Sequence, residues 1–175
     1  MNILSETERA YIAGIIDGEG CFTIGRYRVN KKNIKLNKVL RQHYHHPLIV
    51  INMTDENLVR WIFHTTGCGN IRCRDTGKGK WGKNYYKKQY VWYLSKHNDI
   101  LDFINQIYNF LKIKRIQSDI ILKYCEKTYS TSSKCRRISN EQYLYRNSLY
   151  ADIREANSGY LSRIRNNIPT IQSTN

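Results

Sequence analysis

The stretch IAGIIDGEG, residues 12–20, decides the fold of this chain. Ser5 and Glu8 form a capping-box pattern just before it, which predicts a helix from about Glu6 to Asp17. Glycines then follow at alternate positions, and the segment CFTIGRYRV beyond them has the alternation of a strand. The chain is therefore expected to begin with a helix that passes directly into a sheet.

One face of this helix carries almost no side chains. Ala10, Gly14 and Gly18 recur every fourth position, and residues at that spacing lie above one another on a helix. Such a face allows another backbone to approach closely. A strand of the same chain packed tightly against the helix is the alternative interpretation.

Two carboxylates end the helix. Asp17 and Glu19 stand at the negative end of the helix dipole, where each costs roughly 0.3–1 kcal/mol unless a cation offsets it. Carboxylate and free carbonyl oxygens together are the ligands that a hard divalent ion such as Mg²⁺ prefers. A solvated glutamate in a glycine-rich loop is the alternative.

The charge of the chain is strongly positive. Its 175 residues hold 29 Lys and Arg against 14 Asp and Glu, a formal net charge of +15. Hydrophobic residues make up 41% of the chain, which excludes a disordered class. The sequence has no apolar run long enough to cross a membrane. Its first residues carry acids where a signal peptide would carry Lys or Arg, so secretion is not expected, and its odd number of cysteines favours a reducing compartment. We therefore expect an intracellular protein with a polyanionic partner, nucleic acid first.

The basic residues concentrate in two stretches, 26–41 and 72–88, which contain one acid between them, Asp75. Tyrosine, tryptophan, asparagine and glutamine residues interleave with them, a mixture that can neutralise phosphates and read base edges. A pair of solvated loops is the alternative. The candidate DNA contacts are Arg26, Arg28, Lys31, Lys32, Lys35, Lys38, Arg41, Gln42, Arg72, Arg74, Lys78, Lys80, Lys83 and Lys87.

Periodicity and turn residues predict the order helix, two strands, helix, two strands, then further helices. Pro47 makes the first half of the second strand an edge or a bulge, and Thr54 or Asp55 caps the helix that Gly67 closes. The predicted elements span 6–17, 21–29, 41–53, 56–66, 69–75, 85–95, 97–111, 115–127 and 140–157.

Residues 12–20 resemble the nine-residue signature of the LAGLIDADG homing endonucleases, with identity at Ala13, Gly14, Ile16, Asp17 and Gly20. The order of elements resembles that family's αββαββα core, and the segment from Phe110 to Lys114 resembles a later helix segment. The resemblance implies an α+β fold with a four-stranded antiparallel DNA-binding saddle and extra C-terminal helices. It assigns 1–127 to the endonuclease core and 128–175 to a linker, a helix and a basic tail.

The resemblance also implies roles for single residues. Glu19 would bind the catalytic divalent metal together with the Gly18 carbonyl, and Lys114 would assist at the active site. A water-positioning residue would fall near Thr54 or Asp55, and we take Asp55 as the catalytic candidate. The dimer-interface candidates are Ala10, Ala13, Gly14 and Asp17, the last of which would cap and stabilise the partner helix.

A single motif copy brings a single Glu19, whereas cutting both strands of a duplex needs two sites. The single-motif members of this family act as homodimers on pseudo-palindromic targets, and we expect the same here. The expected reaction is hydrolysis of the phosphodiester with Mg²⁺ or Mn²⁺, and we expect Ca²⁺ to bind without supporting cleavage. An intron-encoded gene in an organelle or a prokaryote is expected, with the choice between these left open.

Other interpretations stay open at this point. An RNA-binding intron maturase of the same fold is the main alternative, and a DNA-binding protein that has lost cleavage is another. Cys68 and Cys73, with the nearby histidines, could suggest structural zinc, although the spacing lacks a matched second pair.

Overall fold

The computed structural model describes residues 1–28, 43–74, 87–129 and 139–159. Five α-helices and four strands follow the predicted order, so the predicted α+β fold is confirmed. The elements are α1 (Glu6–Glu19), β1 (Gly20–Arg28), β2 (His43–Met53), α2 (Glu56–Thr66), β3 (Asn70–Arg74), β4 (Gln89–Leu94), α3 (His97–Ile107), α4 (Arg115–Tyr129) and α5 (Asn140–Ser158), with a 3₁₀ turn at Tyr108–Phe110.

The four strands form one antiparallel sheet in the order β1-β2-β4-β3. β1 pairs with β2 from His43 to Ile51, whereas pairing of β2 with β4 begins only at Ile49. Pro47 therefore lies in the half of β2 that β4 does not reach, which suits a residue with no N–H to donate and confirms the predicted edge.

The helices cover one face of the sheet. Buried side chains that point to this face alternate along the first two strands, as Phe22 and Ile24 do on β1 and Ile49 and Ile51 on β2. They pack with apolar residues of the helices around the fully buried Trp92 of β4. The opposite face carries no helix among the described residues, and we call it the open face.

Local signals predicted several helix ends correctly. The Ser5 capping box forms at the start of α1, and the Ser139 box forms at the start of α5. Gly67 ends α2 with a φ of 63°, a left-handed conformation that favours glycine. Within the described residues, no helix is both long and apolar enough to cross a membrane.

The end of α1 differs from the prediction, because the helix continues through Glu19 instead of ending near Asp17. Gly18 stays helical, and the turn into β1 falls at Gly20, whose N–H donates to Ile15 O and Ile16 O. A Cβ at Gly20 would lie 2.7 Å from the Ile16 Cα and carbonyl oxygen, so only glycine fits this turn. Both motif acids therefore lie in the last turn of α1.

Candidate nucleic-acid interface and acidic site

Glu19 is the last residue of α1, immediately before the first strand of the sheet. Its side chain is exposed, and no described residue donates a hydrogen bond to its carboxylate. Ile51 pairs with Gly20, so Glu19 lies beside the end of β2 as well as at the start of β1. The carboxylate is therefore available to a ligand at one end of the sheet.

Asp17 has a different role, inside its own chain. Its Oδ2 accepts from the backbone N–H of Lys112 at 2.7 Å, and its Oδ1 accepts from the N–H of Lys114 at 3.0 Å. These two donors stand just before α4, where an anion is favourable. The resemblance assigns Asp17 to the partner helix, whereas here both of its oxygens already bind the segment that precedes α4 of the same chain.

The side chain of Lys114 returns to the end of α1. Its Nζ donates to Ile16 O at 2.7 Å and to Gly20 O at 2.6 Å. Burial lowers the pKa of Lys114, and the nearby Asp17, Cys21 and Glu19 act in the opposite direction. The ammonium group therefore stabilises the carbonyl end of α1 directly beside Glu19.

The small-residue face of α1 is open in the protomer. Ala10, Gly14 and Gly18 are exposed, and a Cβ built on either glycine meets no atom within 4 Å. Ala13 lies on the other side of the helix and is fully buried in the protomer's own core. The alternative interpretation, a strand of the same chain against this face, is excluded for the described residues.

Asp55 caps α2. Its Oδ1 accepts from the Leu58 N–H at 2.8 Å, the N-cap contact that the sequence predicted for Thr54 or Asp55. One carboxylate oxygen is thus already bound to the protein. Its catalytic role stays a prediction.

The open face carries the two arginines of β3. Arg72 stands opposite Val91 and Arg74 opposite Gln89, and directly opposed residues share a face. The guanidinium of Arg72 lies 4.9 Å from the ring centroid of Tyr93, also on this face. At the far end of the sheet, Tyr27 and Tyr44 stack with centroids 5.2 Å apart. The open face thus offers cations and aromatic rings to a partner.

Arg26 faces the helices instead. Arg26 follows Phe22 and Ile24 at alternate positions of β1, so its side chain points to the same face of the sheet as theirs. Its guanidinium lies 5.5 Å from the ring centroid of Tyr150 on α5. Arg26 therefore does not share the open face with Arg72 and Arg74.

The other predicted DNA contacts divide into two groups. Arg28 ends β1 opposite His43, and Lys87 is exposed just before β4. The rest lie outside the described residues: Lys31, Lys32, Lys35, Lys38, Arg41, Gln42, Lys78, Lys80 and Lys83.

Asn52 is a residue of this region that sequence reasoning missed. It follows Ile51, the partner of Gly20, and its own partner Val91 places it in one row with Arg72 on the open face. Its Nδ2 donates to Gln89 Oε1 at 3.1 Å, while its Oδ1 is buried without a partner among the described residues. The alternation of β2 in the sequence indicates only that Asn52 points away from Ile51. The register between β2, β4 and β3 is needed to place Asn52 beside Arg72 on the open face.

The described residues contain no group of three or more His, Cys, Asp or Glu side chains that could hold a metal ion. Cys68 is buried and Cys73 is exposed, both as free thiols. For a hard cation, one protomer offers the Glu19 carboxylate and the adjacent backbone carbonyls at the end of α1. This donor set suits Mg²⁺ in kind, because that ion keeps several waters and is usually held by one or two carboxylates together with substrate phosphates.

The fold and this site together define an α+β protein with a sheet surface suited to nucleic acid and an exposed carboxylate at the end of that surface. A family model described as LAGLIDADG endonuclease matches residues 12–87, and the resemblance found in the motif is thereby confirmed. The matching family is one of endonucleases, in agreement with the predicted class of enzyme. No curated protein matches this chain in sequence.

Solved structures share the fold at low identity. The homing endonuclease I-CvuI, in complex with its target and calcium, is 15% identical over 86% of this chain and 82% of that chain, with a TM-score of 0.63. The homing endonuclease I-TnaI is 15% identical over 87% and 97%, with a TM-score of 0.58. The LAGLIDADG homing endonuclease I-GzeII, in complex with a DNA target, is 19% identical over 95% of this chain and 50% of that chain, with a TM-score of 0.61.

Proposed function

We propose that this chain is a site-specific homing endonuclease that makes a double-strand break in DNA as a homodimer, with a divalent metal at Glu19. The observation that carries the proposal is the end of α1. An open small-residue face leads to an exposed carboxylate, and that carboxylate stands where a cation-bearing sheet surface begins.

The homodimer is supported by what a single protomer lacks. One chain brings one Glu19, whereas cleavage of two strands requires two such sites. Two protomers that pack through Ala10 and Gly14 would bring the ends of their α1 helices together by twofold symmetry. This chain also aligns with half of the I-GzeII chain, which is bound to DNA in its own structure.

The dimensions of the sheet suit a long target. β1 has nine residues and would span about 30 Å, the length of about nine base pairs. Two protomers related by a twofold axis would then cover roughly twice that length, with half-sites of opposite direction. A long pseudo-palindromic duplex is the target that this geometry favours.

The proposed reaction is hydrolysis of a phosphodiester. A bond forms between a water oxygen and phosphorus, and the bond from phosphorus to the 3′ oxygen breaks. The water's proton leaves to solvent, and the departing 3′ oxygen takes up a proton from solvent to become a hydroxyl. A divalent ion, when bound, would lower the pKa of the attacking water and neutralise the negative charge on the leaving oxygen. Glu19 and the Gly18 carbonyl would hold that ion, as the donor types and the exposed carboxylate allow.

Lys114 would act at the same place. In the protomer its ammonium holds Ile16 O and Gly20 O, so it fixes the turn on which Glu19 stands. Its positive charge would also offset negative charge that develops on the phosphate.

The test uses a duplex selected by binding from a randomised DNA pool. We expect the wild type to cut both strands with Mg²⁺ and to bind without cutting with Ca²⁺. Glu19→Gln should still bind this duplex but lose cleavage, because the neutral carboxamide lacks the negative charge of the carboxylate through which Mg²⁺ is usually held.

Glu6→Gln is the matched control, since Glu6 is exposed at the opposite end of the same helix, about 20 Å away. This variant should cut like the wild type. Metal-dependent nicking by Glu19→Gln would refute the role of Glu19. Binding of intron RNA without any DNA cleavage would favour a maturase instead. The position of the gene within an intron stays a prediction, which the flanking gene sequence tests.

A further inference from the structure

Two guanidinium groups from different parts of the chain approach the ring of Tyr150 on α5. The Arg26 guanidinium is 5.5 Å from the Tyr150 ring centroid, and that of Arg154 is 5.9 Å from it. Arg154 Nη1 also donates to Tyr150 Oη at 3.2 Å, and Arg26 Nη2 lies 3.1 Å from His43 Nδ1. Both arginine side chains remain exposed, and we call this group the Tyr150 cluster.

Side-chain contacts fix α5 against β1 beside this cluster. Asn157 Nδ2 donates to Phe22 O of β1 at 3.0 Å, and Gln117 Nε2 of α4 donates to Ala156 O of α5 at 3.2 Å. Arg154 lies between these anchors and Tyr150, so the position of its backbone relative to β1 is defined. The fold therefore brings both cations to the same tyrosine ring.

This arrangement leaves positive charge without a compensating anion. Within the described residues, neither Arg26 nor Arg154 takes part in an ion pair; the ion pairs there join Arg60 to Glu56 and Lys96 to Asp99. Glu155 follows Arg154 in sequence, but consecutive residues on a helix point in different directions. Two guanidinium groups at one ring, neither paired with a carboxylate, repel each other, and an anion that contacts both relieves that repulsion.

We propose that Arg26 and Arg154 together bind a phosphodiester group of the DNA backbone. Guanidinium groups suit this ligand because their planar donors match two phosphate oxygens at once. β1 is an edge strand of the described sheet, so the cluster stands at its margin, beside the open face and not on it. The proposal rests on the proposed function, because the DNA is the same molecule.

The place of the cluster along β1 predicts which phosphate it binds. Arg26 lies six residues beyond Gly20, which corresponds to about 20 Å along the strand, or about six base pairs of duplex. The contact would therefore fall in the outer part of the half-site, well away from the cleaved bond. It also gives α5 a function in binding, which sequence reasoning did not assign to residues 128–175.

A purely structural role is the competing explanation, since an arginine over a tyrosine ring also docks a helix. The chain contains a matched example of that case. Lys127 of α4 lies 4.8 Å from the ring centroid of Tyr145 on α5, and the carboxylates of Glu126 and Glu141 line the same cavity as Lys127. Lys127 therefore makes the same kind of cation–ring contact as the two arginines, but carboxylates near it can compensate its charge. For this reason Lys127 is the control for a purely structural role.

The experiment measures binding of a duplex of arbitrary sequence, longer than the footprint, as a function of KCl concentration. Arg26→Gln, Arg154→Gln and Lys127→Gln each remove one positive charge. We expect the double variant Arg26→Gln/Arg154→Gln to lower the slope of log K against log [KCl] by about 0.9 per protomer bound, because the two side chains neutralise one phosphate. Each single arginine variant should lower the slope by part of this amount, and Lys127→Gln should keep the wild-type slope. Equal slopes for Arg154→Gln and Lys127→Gln would overturn the proposal.

A second measurement needs no variant. The wild-type protein is treated with an arginine-modifying reagent with and without the duplex, and modified sites are read by mass spectrometry. Arg26 and Arg154 should be protected by DNA, while the ion-paired Arg60 should react equally in both samples. Equal reactivity of Arg154 with and without DNA would contradict the contact. Failure of the wild type to bind duplex at any salt concentration would instead refute the proposed function.

Discussion

Replacement of Asp17 by Asn tests whether this motif acid acts within its own chain. Its two carboxylate oxygens accept from the N–H groups of Lys112 and Lys114, at 2.7 and 3.0 Å. An asparagine keeps one oxygen acceptor but turns its NH₂ group toward the second backbone N–H. One of the two hydrogen bonds is therefore lost, and the remaining one no longer has a charged acceptor. Hydrogen bonds to charged groups contribute about 1.5–3 kcal/mol each, so we expect a loss of about 2–4 kcal/mol in unfolding free energy.

Asp55→Asn is the matched control for this change. Asp55 also accepts a backbone N–H, from Leu58 at 2.8 Å, but as the N-cap of α2. Asparagine is as good as aspartate at an N-cap, so this variant should lose less than about 1 kcal/mol. The same chemical substitution should thus have clearly different effects at the two positions.

The assay is urea unfolding followed by circular dichroism at several protein concentrations. Each kcal/mol lost should also lower the Tm by about 2–4 °C in a chain of this size. If Asp17 acts within the protomer, the difference between wild type and Asp17→Asn is independent of protein concentration. A loss equal to that of Asp55→Asn, or one that vanishes on dilution, would refute the intrachain role.

Two further predictions concern the interface and the response to pH. Gly14→Leu should fold normally, because no atom lies within 4 Å of a Cβ built at this position. The variant should sediment as a monomer and lose double-strand cleavage. A stable dimer of this variant would exclude the proposed interface. Burial, followed by the charges of Arg26, Arg146 and His43, lowers the pKa of His45, so the unfolded chain binds more protons than the folded one just below pH ~6.5. The free energy of unfolding, measured by urea titration, should therefore fall as the pH drops from about 7 toward the lowered pKa of His45. His45→Gln should show a smaller fall over the same pH range. A fall as large as that of the wild type would contradict the role of His45.

The sequence allowed a good prediction of the fold because its signals are local. The capping boxes at Ser5 and Ser139 and the left-handed Gly67 act over a few residues, and each appears in the structure at the predicted place. The end of α1 was placed too early, since the two glycines suggested a break at Gly18. Contact between the Gly20 turn and Ile16 decides where the helix ends, and that contact becomes evident only from the coordinates.

The side-chain arrangement of the site was harder to predict, because its contacts join distant parts of the chain. The alternation of β1 shows that Arg26 shares a face with Phe22, but only the position of α5 shows what Arg26 meets there. Lys114 reaches Ile16 O across 98 positions, and no local pattern encodes such a contact. The sequence thus named these charged groups as candidates, whereas their contacts within the chain required the fold.

The end of α1 explains why Glu19 stands out among the acids of this chain. Two carboxylates and the free carbonyls at the end of α1 all concentrate negative charge at one place. Two backbone N–H groups compensate Asp17, and the ammonium of Lys114 compensates the carbonyls of Ile16 and Gly20. Lys114 also lies close enough to feel the charge of Glu19, yet no described residue hydrogen-bonds that carboxylate. The fold compensates these neighbours and leaves the Glu19 carboxylate exposed, and this difference is the electrostatic argument for the cation that we propose at Glu19.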